Sequence, residues 1–172
     1  WGERYLPWHD LDVHECELTG ITCVGQEIAR IDLSDAALCG NGNGNGNGNS
    51  NKRSLDQCAG LPAELGLLSS LEVLSMPRRQ HLRGTIPTEF GKLTKLRFLD
   101  LSNCFQLSGA IPSELGKLLN LNVLNLSGCR LNSTIPSEIF ELTQLEKLNL
   151  SINPLSGTIP SQLGNLENIR EL

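Results

Sequence analysis

Residues 145–160 read Leu-Glu-Lys-Leu-Asn-Leu-Ser-Ile-Asn-Pro-Leu-Ser-Gly-Thr-Ile-Pro. In the first half, Leu145-x-x-Leu148-x-Leu150, the alternation at the second and third leucines has the period of a strand. It places both leucines inward and their neighbours outward. The second half ends in Ile159-Pro160, the last of a series with Leu61-Pro62, Ile86-Pro87, Ile111-Pro112 and Ile135-Pro136, spaced 25, 25, 24 and 24 residues apart. In phase with it run Ile28-x-x-Ile31-x-Leu33, Leu71-x-x-Leu74-x-Met76, Leu96-x-x-Leu99-x-Leu101 and Leu121-x-x-Leu124-x-Leu126. After each proline comes a stretch such as Ser113 to Leu118, too short for an independent helix but suited to one turn starting near the proline. One strand and one turn cannot bury an apolar face, whereas stacked copies share a continuous core.

Composition agrees. The chain of 172 residues holds 33 leucines against 7 aromatic residues, a balance that suits many similar aliphatic layers better than one compact core. A net charge of -5 with scattered basic residues makes nucleic acid an unsuitable partner. No apolar run approaches the ~20 residues that cross a bilayer. The chain opens at Trp1 without a signal core and reads as a processed product or an excerpt.

These motifs resemble the plant-type extracellular leucine-rich repeats, whose consensus is L-x-x-L-x-x-L-x-L-S-x-N-x-L-S-G-x-I-P. The resemblance implies an α/β solenoid, a right-handed superhelix with a concave parallel β-sheet and short helical or 3-10 turns on the convex side. It divides the chain into an N-terminal cap over residues 1–27 and about six repeat units over 28–172, the last incomplete at Leu172. Cys16 to Cys23 is similar to the C-x6-C element of such a cap, with Trp8 upstream. The resemblance implies a Cys16–Cys23 disulfide, which fits an oxidising compartment.

Three stretches depart from the consensus. Asn-Gly alternation from Asn41 to Asn49 has no apolar strands beside it and reads as a flexible loop, bounded at residues 40–58, inside the first repeat. Cys39 and Cys58 stand at its ends, where a disulfide would close it and leave the solenoid undisturbed. Cys104 and Cys129 occupy the consensus asparagine position in adjacent coils, about 5 Å apart at strand spacing. That allows either a disulfide or two buried thiols, and the stacked geometry favours the thiols. Only Asn153 keeps the asparagine here, which puts a continuous asparagine ladder in doubt. Pro77 cannot donate to a β-ladder and is expected to end its strand.

Chemistry is sparse. His9, Asp10, Asp12, His14, Glu15 and Cys16 form the one dense set of metal-ligand types, in a spacing that matches no zinc pattern. No nucleophile elbow or phosphate-binding glycine loop occurs, so the expectation is a non-enzyme with no metal and no cofactor. Acceptor motifs for N-linked glycans stand at Asn125-Leu-Ser127, Asn132-Ser-Thr134 and Asn149-Leu-Ser151, the second in a loop that suits a glycan best.

With leucines inward, one outward column reads Arg30, Val73, Phe98, Val123 and Lys147, and the next Asp32, Ser75, Asp100, Asn125 and Asn149. Val73, Phe98 and Val123 make an apolar stripe beside a polar row, the kind of patch that marks an interaction site. The leading expectation is extracellular recognition of a protein or peptide through the concave sheet, on a secreted, cell-surface or cell-wall protein. Alternatives are a cell-wall, matrix or filament component self-associating through the open C-terminal end, and a binder of polysaccharide or ice. The last would use the row Thr85, Ala110, Thr134 and Thr158, or the basic corner Arg78, Arg79, His81 and Arg83.

Overall fold

The computed structural model describes residues 21–24, 27–32 and 60–172. The acidic and histidine-rich start, Cys16, Cys39, Cys58 and the Asn-Gly stretch lie outside the described residues. Cys23 is disulfide-bonded.

Strand β1 (Ile21–Val24) pairs antiparallel with β2 (Glu27–Asp32). From β2 the sheet continues in parallel through β3 (Val73–Ser75), and β4 (Arg83–Gly84) starts a second layer. Each later coil adds one strand to the first sheet: β5 (Phe98–Asp100), β7 (Val123–Asn125) and β9 (Lys147–Asn149). The second sheet gains β6 (Gln106–Gly109) and β8 (Arg130–Leu131). The result is a six-stranded sheet ordered β1-β2-β3-β5-β7-β9 and a three-stranded sheet ordered β4-β6-β8. Among the described residues, five 3-10 turns, Ala63–Leu67, Thr88–Lys92, Ser113–Lys117, Ser137–Glu141 and Ser161–Asn165, close the coils. Each turn is preceded by its proline in extended conformation, so proline caps the turn and is not its first residue. The missing N–H is harmless there, and the ring fixes the approach of the chain.

The core is the leucine column that the repeat spacing places inward. Leu71, Leu74, Leu96, Leu99, Leu101, Leu121, Leu124, Leu126 and Leu145 are fully buried, with Phe90 and Phe140 between sheet and turns. At about 1.5–3 kcal/mol for each large aliphatic side chain removed from water, this shared column is the main source of stability. Coils are also tied backbone to backbone: Met76 N–H donates to the Asp100 carbonyl at 2.8 Å, Leu101 to Asn125 at 2.9 Å and Leu126 to Asn149 at 2.8 Å.

β3 stops at Ser75, just short of Pro77, but the stop does not depend on proline. β3, β5, β7 and β9 all stop at the same register position, two residues before Pro77, Ser102, Ser127 and Ser151 respectively. What stops them is a left-handed residue in each coil, at φ 60° for Arg78, 58° for Asn103, 64° for Gly128 and 56° for Ile152. A second left-handed position falls to Gly84, Gly109 and Gly157, the glycines of the Leu-Ser-Gly-x-Ile-Pro consensus. A Cβ on Gly109 would also stand 2.8 Å from the Thr85 methyl, and one on Gly157 2.9 Å from that of Thr134. The threonine row thus packs against the glycines of the next coil.

The ladder behind the sheet is continued by sulfur. The Asn153 amide donates to the Leu126 carbonyl at 2.8 Å and accepts from the Leu131 N–H at 3.1 Å. One coil back, the Cys129 thiol donates to the equivalent Leu101 carbonyl at 3.3 Å, and the Cys104 thiol donates to Met76 at 3.3 Å. Both cysteines are free and buried. Burial pushes the Cys104 thiol up to about 11, with the neighbouring Cys129 adding to the rise. Burial likewise raises Cys129.

Candidate functional site

The outer face of the six-stranded sheet is set by register. Arg30, Val73, Phe98, Val123 and Lys147 are successive Cα partners, and so are Asp32, Ser75, Asp100, Asn125 and Asn149. Between the two columns at the β2 to β5 end lies an open groove of about 350 Å³, lined by Arg30, Asp32, Val73, Ser75, Pro77, Phe98 and Asp100. Six of the ten residues read from sequence as the binding face meet here. Val123, Asn125, Lys147 and Asn149 continue the same face beyond the groove.

Inside the groove apolar and charged groups alternate. Val73 and Phe98 are half-buried, less exposed than the period-two pattern alone suggests. Pro77 extends this apolar floor, and its repeat position gave no hint of a role on the sheet face. Ser75 is buried. Arg30 and Asp32 form an exposed ion pair at 3.0 Å, worth little in stability at such exposure but fixing the direction of both charges. At the far end, Lys147 pairs with Glu171 and Arg170 with Glu146 at 3.3 Å, beside the backbone bond from Arg170 N–H to the Glu146 carbonyl at 2.7 Å.

The polar column has a structural duty as well. Asp100 Oδ1 accepts the Ser102 N–H at 2.8 Å. Asn125 Oδ1 accepts from the Ser127 N–H at 3.3 Å and hydroxyl at 2.8 Å, and Asn149 Oδ1 does the same with Ser151 at 3.1 and 2.7 Å. Each is a side-chain-to-backbone turn that anchors the chain where it leaves the strand. In the β3 coil the residue two positions on is Pro77, which has no N–H to satisfy, and serine replaces the acceptor. Among the described residues no cluster of histidine, cysteine and carboxylates is suited to a metal ion, and no helix is long and apolar enough to cross a membrane.

A family model described as leucine-rich repeat region matches residues 56–172. The chain belongs to the plant-type extracellular leucine-rich-repeat proteins. None of the curated proteins compared with it matches. Among solved structures, this leucine-rich-repeat chain is similar to a chain of the BIR3–SERK2 complex from Arabidopsis thaliana, with a TM-score of 0.70 and 31% identity over 93% of this chain and 77% of that one. The BIR2 ectodomain from the same plant gives 0.68 and 30% over 86% and 68%. The leucine-rich-repeat ectodomain of the membrane receptor kinase GASSHO1/SCHENGEN3, also from Arabidopsis thaliana and solved in complex with CASPARIAN STRIP INTEGRITY FACTOR 2, gives 0.62 and 38% over 65% of this chain. The chain spans only 13% of that ectodomain's length.

Proposed function

We propose that this protein is a non-catalytic recognition module outside the cell, which binds a protein or peptide across the outer face of the six-stranded sheet. The observation that carries the reading is the groove at the β2 to β5 end, where Val73, Pro77 and Phe98 offer apolar contact between Arg30, Asp32 and Asp100. Apolar anchors ringed by oriented charges are what a peptide side chain needs for affinity and for register. Similar ectodomains solved with a protein or peptide bound support this reading.

The test uses peptides selected from a random displayed library on the wild-type chain. Phe98→Asp leaves the leucine core untouched but puts a carboxylate where an apolar partner would sit. It is expected to weaken the selected peptides at least tenfold, about 1.4 kcal/mol or more, with the melting temperature little changed. Equal binding by the variant overturns the placement.

A further inference from the structure

We propose that Asn132 carries the N-linked glycan of the folded, exported chain, and that Asn125 and Asn149 stay unmodified although they open the same acceptor motif. The inference rests on the extracellular placement proposed above. The three sites look alike in sequence and differ in the structure.

Asn125 and Asn149 stand in the polar column of the six-stranded sheet, half-buried, with Asp100 and Asn149 flanking Asn125 at strand spacing, about 4.8 Å. Their amides are held in one orientation by the turn bonds to Ser127 and Ser151, so the motif's own hydroxyl is engaged. A sugar ring on Nδ2 of Asn125 would have to fit between side chains closer together than the ring is wide, and one on Asn149 would crowd its column neighbour Asn125. Asn132 is built differently. It follows Leu131, the last residue of β8, in the smaller sheet. Its main chain is fixed, since its N–H donates to the Gly109 carbonyl at 3.0 Å. Its side chain is exposed and has no hydrogen bond among the described residues, and Thr134 of the same motif is exposed too. A glycan there projects from the coil without displacing any contact.

The chemistry is transfer from a polyprenol-diphosphate-linked oligosaccharide. Asn132 Nδ2 forms a bond to the anomeric carbon, the bond from that carbon to the phosphate oxygen breaks, and one amide proton leaves with the lipid diphosphate. The product places the glycan on the threonine-row side of the solenoid, leaving the groove face open.

The chain is exported from eukaryotic host cells, and its glycans are removed by an amidase in heavy-oxygen water, which marks each formerly glycosylated asparagine. Peptide mass spectrometry is expected to find the mark at residue 132 and not at 125 or 149. Thr134→Ala should abolish it, and Ser127→Ala should leave it unchanged. A mark at residue 125 or 149, or an exported chain bare at residue 132, overturns the inference. Neither result bears on peptide binding at the groove.

Discussion

Gly91 and Gly116 occupy the same position of successive 3-10 turns, and replacing either by alanine should lower stability. A Cβ on Gly91 would lie 2.6 Å from the Glu114 carbonyl oxygen, 2.7 Å from its Cβ and 3.0 Å from its carbonyl carbon. Two of those atoms are backbone of the next coil, so the coils must separate locally. Such overpacking costs about 1–3 kcal/mol, while losing a glycine from the unfolded chain returns about 0.4–1 kcal/mol. The net for Gly91→Ala is a loss of up to about 2.6 kcal/mol. A Cβ on Gly116 would lie 2.6 Å from both the Cβ and the carbonyl oxygen of Glu138 and 2.8 Å from its carbonyl carbon, so Gly116→Ala should cost a similar amount. Urea denaturation followed by circular dichroism reads both as midpoint shifts. If both variants are stabilised, the turn glycines are not close-packing positions and the account of coil spacing is wrong.

Other outcomes follow from the ladder and the turns. Cys104→Ala removes the thiol donor and leaves the buried Met76 carbonyl unpaired, so stability should fall by about 1–3 kcal/mol in the same denaturation assay; no change would show that sulfur has no part in the ladder. Because the folded Cys104 thiol titrates at about 11 against an ordinary 9.0, the folded state holds a proton that the unfolded state releases in that window. Its contribution is whole below pH 9 and is lost as pH rises towards 11. Melting temperatures across that range should therefore drop more steeply for wild type than for Cys104→Ala, and parallel curves would contradict the burial. Ile152 holds a left-handed φ of 56° with a branched side chain 80% exposed, so Ile152→Gly should raise stability by about 0.5–1 kcal/mol in a thermal melt, and a loss would mean that the exposed side chain makes a needed contact.

Much of this was legible because a repeat states its rule several times. Leu96, Leu99 and Leu101 are buried where alternation places them, and the Gly109 turn lies where the consensus glycine predicts. Individual departures were harder to read. Pro77 suggested a strand end, yet every strand ends at that register because a left-handed residue follows, and φ is not written in the identity of Arg78 or Ile152. Asp100, Asn125 and Asn149 were read as an outward column, and each is also followed two residues later by a serine for which it serves as turn acceptor. That signal was in the sequence, including its absence where Pro77 replaces the serine. The groove itself depends on strand pairing between coils 25 residues or more apart, and only the fold brings Arg30, Pro77 and Asp100 to one place.

Photo-crosslinking from the sheet tests the central claim most directly. A photoreactive phenylalanine analogue at residue 98, on the groove, and at residue 85, on the threonine row, is irradiated with a peptide selected on the wild-type chain. Crosslinks from residue 98 and none from residue 85 are the predicted result; crosslinks from residue 85 with residue 98 silent would contradict recognition on this face.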